Sequence, residues 1–167
     1  MVLFFAAGCA ALVHGHVGST ITPGDPPQGN VNLQFDAGFS PVEAGDLVDN
    51  LSLGFGLSGR SRVDDLGQMN DVGVHLFVVG NTEHSLRPFA RSTLFAVAQY
   101  DVKEELQAPG IGARLEGGLL FCPGEDEGFY CAVAQLNGEY DHWFGGTRSG
   151  FWLGGSLGIA LNWNEEL

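Results

Sequence analysis

The sequence predicts an all-β protein, an antiparallel up-and-down β-barrel, on three observations. Of the 167 residues, 26 are glycines, which destabilise helix interiors, and 12 are phenylalanines, which favour strands. Apolar and polar residues alternate in repeated segments, which is the period-two pattern of strands with two unlike faces. Turn-rich stretches separate these segments and no helical pattern of useful length interrupts them, which indicates strands joined as hairpins.

Seven segments carry the alternation, six of them clearly: 31–39, 51–57, 72–78, 111–121, 130–140 and 151–163. The seventh, 86–100, is less regular. Its apolar face begins at Leu86 and ends at Tyr100, with Arg87 and Arg91 on the other face. Phe95 and Val97 then fall on the polar face, and a β-bulge that swaps the faces partway is the alternative.

The charge of the chain excludes some classes of partner. Only seven residues are basic, Lys103 is the sole lysine, and the formal net charge is -13. Nucleic-acid binding needs clustered basic residues, and so does electrostatic docking on anionic lipid. A soluble β-protein also covers its solvent face with Lys and Glu. The polar faces here hold mainly Gly, Ser, Asn and Gln, which suits a narrow lumen.

Two barrels remain possible, since an amphipathic strand does not say which face meets water. A soluble or lipid-anchored lipocalin-like barrel would hide the apolar face and bind an apolar ligand, whereas a membrane barrel turns that face to lipid. No charge falls on the apolar face of a predicted strand, where it would cost about 2–4 kcal/mol at mid-bilayer. Tyr130 and Tyr140 on one face would stand roughly 25 Å apart along the axis, like two aromatic girdles. The sequence therefore favours a transmembrane barrel.

The N-terminus predicts a processed segment. Residues 1–11 have the apolar character of a secretory signal whose basic start is missing, so we expect a truncated signal peptide followed by one barrel domain, 12–167. Cys9 in this segment could alternatively be lipidated. The two cysteines that remain, Cys122 and Cys131, then form a candidate disulfide, as an oxidising compartment allows.

The hairpin that carries these cysteines has a predicted register. Phe121 and Tyr130 lie on the apolar face, so Cys122 and Cys131 both point inward. If the cysteines are directly opposite each other, the same register predicts three more cross-strand pairs. Arg114 pairs with Glu139 and Glu116 with Asn137 on the inward face, and Leu119 pairs with Ala134 on the outward face.

The last strand resembles a known signal. Its pattern of a polar residue, glycine, a hydrophobic residue and an aromatic residue is carried by Ser156, Gly158, Leu161 and Trp163. It resembles the C-terminal strand of small bacterial outer-membrane β-barrels, although four residues follow the aromatic one. The resemblance implies the Gram-negative outer membrane as location, contact with its lipid, and recognition by the barrel-assembly machinery.

The resemblance also implies a strand count and a direction. Bacterial barrels of this kind have even strand numbers, so we expect eight strands, the first of them at 12–22. Because the final strand ends on the periplasmic side, some connections are expected outside the cell and the shorter ones in the periplasm. The outer ones are near 61–69, 101–109 and 141–148; the periplasmic ones are near 41–47, 80–85 and 122–128.

Eight strands leave an interior that side chains fill, so we expect no open pore. Buried charges must be paired, and we therefore predict a lumen charge network rather than a gated conduit. Its members are Asp36, His75, Arg87, Arg91, Arg114, Glu116 and Glu139. The role that follows is a structural or surface-interaction barrel, with a possible surface ligand at the outer loops.

Other chemistry has less support in the sequence. His142 and Ser149 lie in an outer connection, but no spacing places a nucleophile beside a base, and we expect no enzyme. His14 and His16 alone are too few ligands for a metal site, so no metal or cofactor is predicted.

Two loop segments are candidate binding sites. The acidic run 125–127 is more typical of a solvated turn than of a calcium site. The aromatic run 140–144 could contact a partner or lipopolysaccharide, or complete the aromatic girdle.

Overall fold

The computed structural model describes residues 10–22, 28–43, 51–64, 67–80, 84–100, 106–123, 130–144 and 150–164. They form eight antiparallel strands in a closed barrel, with each strand paired to its neighbours in chain order and β1 paired to β8. The strands are β1 (Ala10–Ile21), β2 (Gly29–Glu43), β3 (Leu51–Asp64), β4 (Gly67–Gly80), β5 (Leu86–Tyr100), β6 (Leu106–Phe121), β7 (Tyr130–Trp143) and β8 (Gly150–Asn164). The predicted fold class and strand number are confirmed.

The apolar face of every strand points outward. Leu157 at the middle of β8 is 69% exposed, and large apolar side chains are exposed on all eight strands. No Asp, Glu, Lys or Arg points outward among the strand residues whose side chains are described. A lipocalin-like barrel would have the reverse arrangement, so an exterior of this kind belongs in a bilayer. A search of the described residues for a helix long and apolar enough to cross a membrane finds none.

β5 keeps one alternation along nearly its whole length. Its pairing with β6 shifts only between Gln99 and Tyr100, beyond the residues in question. Phe95 and Val97 are consequently inward and buried, at 4% and 3% exposure. The alternative of a bulge that swaps the faces partway is wrong, and two apolar side chains lie in the interior instead.

The strands are longer than the sequence suggested, which corrects the predicted connections. β3 runs to Asp64 and β4 begins at Gly67, so only 65–66 link them where a long loop at 61–69 was expected. We call the end of the barrel with the connections 22–28, 65–66, 101–105 and 144–149 the loop end. The other end has the connections 44–50, 81–85 and 122–129, together with the start of β1 and the end of β8. We call it the terminus end. Connection length does not distinguish the two ends, so this argument for their orientation is lost.

The N-terminal boundary stays a prediction. β1 starts at Ala10, slightly before the expected position near residue 12. The rest of the predicted signal segment, with Cys9, lies outside the described residues.

The β6–β7 hairpin has the predicted register. Arg114 faces Glu139, and the same register continues to the cysteines. Cys122 and Cys131 form a disulfide with their Cα atoms 4.2 Å apart, and both side chains are 1% exposed inside the barrel.

Candidate functional site inside the barrel

The inward side chains form two apolar clusters and a network of charged and polar groups. Near the loop end lies the loop-end apolar cluster of Met69, Phe95, Val97 and Trp143. Near the other end lies the terminus-end apolar cluster of Phe77, Val79, Phe89, Leu120, Cys122, Cys131, Val133 and Ala160. Buried charged and polar side chains fill the middle of the lumen. They also reach the level of the loop-end apolar cluster, since Arg62 is the direct strand partner of Met69.

Arg60 on β3 anchors the half of the charged network that lies toward the loop end. It contacts Asp71 on the neighbouring strand through Nε and Nη2, both at 2.8 Å, and reaches Glu139 across the barrel at 2.6 Å. All three side chains are at most 1% exposed. A guanidinium has five donors in a rigid fork, so one arginine can serve two carboxylates in this way.

Arg62, two residues further along β3, repeats this arrangement. Its Nη1 is 2.5 Å from Glu139 and 3.5 Å from Asp141 on β7. Its guanidinium also lies 5.8 Å from the ring centroid of Trp152, within the range of a cation–π contact. Glu139 is therefore held mainly by Arg60 and Arg62, two residues that the sequence did not single out.

Arg91 on β5 organises the middle of the lumen. It donates to Asp36 on β2 at 2.6 Å and to Glu116 on β6 at 2.5 Å. Gln34 donates to both Asp36 and Glu116, at 2.9 and 3.1 Å, and Gln135 donates to Glu116 at 3.0 Å. These contacts tie β2 to β6 across the barrel interior.

Arg114 links the two halves of the network. Its Nε is 3.5 Å from Glu116, its Nη1 is 3.5 Å from Asp71, and its Nη2 donates to Ser58 at 2.9 Å. The closest approach to its register partner Glu139 is 3.9 Å. The two residues share a face as the register requires, but the pair is peripheral, since other guanidiniums hold that carboxylate more closely.

Two inward glycines make room for rings. A Cβ at Gly54 would lie 2.3 Å from the Phe77 ring, and one at Gly112 would lie 2.4 Å from the Phe95 ring. Since real Cβ atoms do not approach this closely, each glycine lets an aromatic ring pack directly against the backbone of the barrel wall. Part of the high glycine content thus serves the packing of the interior.

The predicted lumen residues have different places in the structure. Asp36, Arg91, Arg114, Glu116 and Glu139 belong to one connected set of contacts. His75 is buried beside them, at 4% exposure. Arg87 departs from the prediction: it is only half-buried, donates to the His84 carbonyl at 2.9 Å, and forms no ion pair within the described chain.

The sequence analysis missed four members of the network. Arg62 and Asp141 fell in 61–69 and 141–148, which were expected to be loops, and Arg60 and Asp71 lay just outside the alternating segments 51–57 and 72–78. A signal was present, since Ser58, Arg60 and Arg62 continue the inward alternation of β3. In the run 140–144, only Tyr140, His142 and Phe144 point outward, while Asp141 and Trp143 are buried.

Several predicted positions can only partly be placed. Ser149 and the acidic run 125–127 lie outside the described residues. In the C-terminal strand, Ser156 is buried in the lumen and Leu161 is 53% exposed outside. A Cβ at Gly158 would lie 2.1 Å from a backbone oxygen of β1, and nothing is described of the Trp163 side chain.

Comparison with known proteins identifies the fold. No protein-family model matches the sequence, and no curated protein matches it significantly. Neisserial surface protein A has a TM-score of 0.61 at 12% identity, covering 93% of this chain and 97% of its own. The N-terminal β-barrel domain of Pseudomonas aeruginosa OprF gives 0.55 at 15% identity, over 92% and 97% of the two chains.

A third similar structure is Ail, the attachment invasion locus protein of Yersinia pestis. Its TM-score is 0.51 at 13% identity, and the match covers 95% of this chain and all of Ail. At such identities the similarity establishes the fold alone. With the apolar exterior, it makes this chain an eight-stranded transmembrane β-barrel of the outer-membrane type.

Proposed function

We propose that this protein is an outer-membrane barrel with a closed interior and a structural or surface-interaction role, and that it is neither a solute pore nor an enzyme. The observation that carries the proposal is the cross-lumen network of buried ion pairs. Ion pairs reach from β3 to β7 and from β2 to β5, so opposite walls are joined through the centre.

The apolar clusters also support closure. Water and ions avoid a constriction lined by apolar side chains, and one cluster of this kind lies toward each end of the lumen. Opening a path would also separate buried arginines from carboxylates, which costs about 3–5 kcal/mol for each stranded charge. A closed state is therefore the one the interior stabilises.

Conductance tests this proposal. We expect the purified protein, reconstituted in a planar bilayer, to give no sustained ion current, while a porin in the same bilayer conducts. Protein incorporation is verified by recovering the folded, heat-modifiable form from the membrane. Stable open-channel current from the wild-type barrel would contradict a closed lumen.

We also propose that β8 is the strand recognised during assembly. Its outward face near the terminus end carries Leu161, and Trp163 completes the sequence pattern. Trp163→Ala should reduce the amount of folded protein in cell membranes but leave refolding into detergent micelles unchanged. An equal loss in both settings would indicate a stability defect instead of a recognition signal.

A further inference from the structure

Three potential metal ligands come together inside the barrel near the middle of β1 and β2. His14 and His16 are both inward on β1, and Asp36 on β2 is the direct strand partner of His14. One ligand atom from each residue lies within 4.8 Å of the other two. The three residues are 4%, 1% and 4% exposed. The register thus supplies the third ligand that sequence spacing alone did not offer.

The two imidazoles lack the hydrogen bonds that buried rings normally have. Neither ring nitrogen of His14 or His16 has a hydrogen-bond partner within the described structure. The nearest approach is that of His16 Nε2 to Asp36 Oδ2, at 3.5 Å. A neutral imidazole carries one donor and one lone pair, and buried polar groups are almost always partnered. Unpartnered nitrogens beside a carboxylate are therefore available to bind a shared ligand.

A small cavity adjoins the cluster. It measures about 10 Å³ and is lined by His14, Asp36, His75, Phe77, Val79, Phe89 and Arg91. This is close to the smallest volume that holds one water molecule. A water in this position would lie next to two of the three ligands, and the terminus-end apolar cluster closes the cavity on its far side.

We propose that His14, His16 and Asp36 bind one divalent transition-metal ion of the zinc class, with a water in the cavity as fourth ligand. Two imidazoles and a carboxylate suit zinc, whereas calcium and magnesium prefer all-oxygen sites. Zinc–ligand bonds of about 2.0–2.2 Å place tetrahedral ligands about 3.3–3.6 Å apart. The three ligand atoms lie within 4.8 Å of one another, so zinc binding requires them to move closer together.

The surroundings of the carboxylate fit a supported site. Gln34 donates to both oxygens of Asp36, at 3.2 and 2.9 Å, and fixes its orientation. Arg91 also contacts Asp36, but its charge is shared with Glu116 at 2.5 Å. The described lumen buries five carboxylates and four arginines, so it holds no excess of positive charge that would oppose a bound cation. The metal site does not depend on the proposed function, because it requires only these three side chains and not a closed lumen.

Metal content after refolding provides the test. The full chain is refolded in detergent micelles with Zn²⁺, passed through metal-free gel filtration, and assayed for zinc by mass spectrometry. We expect about one zinc per wild-type chain. His14→Asn with His16→Asn should hold none, whereas His84→Ala with His142→Ala, which removes two exposed histidines, should keep the zinc. A wild type without zinc, or loss in the exposed-histidine variant, would overturn the proposal.

A wild-type measurement covers the case in which the ligand variant fails to fold. Refolding with Co²⁺ should give the strong visible absorption of a four-coordinate nitrogen and oxygen site. A weak spectrum typical of six-coordinate Co²⁺ would overturn the site. Gln34→Ala leaves all three ligands in place, and we expect it to weaken zinc binding about tenfold, as is usual when a group that orients a ligand is lost. Unchanged affinity in that variant would contradict the assigned geometry.

Discussion

At the scale of single residues, the choice of arginine over lysine shapes the interior. Among the described residues, four arginines are buried at no more than 4% exposure, and each one contacts two or more acceptors. Lysine offers a compact charge without the planar fork, so it could not span two carboxylates in the same way. This explains why a chain with a single lysine still has a densely paired lumen.

The arginines should differ in their contribution to stability. Arg60→Ala removes the closest contacts of Asp71 and one of two close contacts of Glu139, so we expect a loss of about 3–5 kcal/mol. Arg114→Ala should cost less, about 1–3 kcal/mol, because the carboxylates it touches keep closer arginines. Urea unfolding in lipid vesicles gives the comparison, with Arg87→Ala as the control outside the network. A greater loss for Arg114→Ala than for Arg60→Ala would refute this ranking.

The outward face should be sensitive to charge according to depth. Leu157→Arg places a cation at mid-bilayer and is expected to destabilise the barrel by about 2–4 kcal/mol. Phe144→Arg places the same charge just beyond the end of β7, where the cost is about 0–1 kcal/mol.

Folding efficiency and unfolding midpoints in vesicles would measure this difference. Leu157→Ala serves as the uncharged control for lost apolar area. Equal effects of the two arginines would mean that the outward face does not meet lipid.

At the scale of elements, the alternation predicted faces better than it predicted ends. Along β5, the positions of Arg87 and Arg91 were enough to assign the inward face, and the assignment holds through Phe95. The ends of β3 and β4 could not be found in the same way. The end of β3 and the start of β4 are rich in Gly, Ser, Arg and Asn. This composition is typical of a loop, although these residues continue the hydrogen-bonded pairing of the two strands.

Contacts across the lumen were beyond the reach of sequence. The register of neighbouring strands follows from alternation and a cysteine pair, which placed Arg114 opposite Glu139. The contact of Arg62 with Glu139 joins strands that are not neighbours in the barrel. It depends on barrel radius and strand tilt, and neither quantity is encoded locally.

The disulfide should stabilise the β6–β7 hairpin from inside. It closes a loop across nine positions of sequence separation, for which chain entropy gives about 2–3 kcal/mol. We therefore expect the double variant Cys122→Ala and Cys131→Ala to lose about 2–3 kcal/mol of unfolding free energy, measured by denaturant titration.

The buried position of the disulfide can be tested by its accessibility to reductant. Because both cysteines are 1% exposed within the terminus-end apolar cluster, a water-soluble reductant should cleave the bond only after unfolding. Wild type with and without reductant, each in native and denaturing buffer, provides the control. Reduction at the same rate in both buffers would contradict the buried position.

At the scale of the whole molecule, the remaining question is which end faces out. The resemblance of β8 to an assembly strand places the terminus end in the periplasm, so the loop end should face the medium. Lys103, the sole lysine, lies in the connection 101–105 at the loop end. A membrane-impermeant amine reagent applied to intact cells should therefore label the protein at Lys103.

Two variants control for this orientation. Lys103→Arg should abolish labelling of intact cells. The double variant Lys103→Arg with His84→Lys carries its single lysine at the terminus end. The reagent should label that lysine only in permeabilised cells. Labelling of that lysine in intact cells would reverse the orientation.

Trp143 and Trp152 point into the barrel, at 5% and 7% exposure. Tryptophans of membrane barrels usually mark the lipid interface, where their emission reports arrival at the bilayer. Here the strand wall separates these two indoles from acyl chains, so brominated lipids, which quench on contact, should leave their fluorescence untouched. In a Trp163→Phe variant, tryptophan emission comes only from these two inward side chains. Its change during refolding should therefore report barrel closure, when β1 pairs with β8, and not the first binding of the chain to lipid.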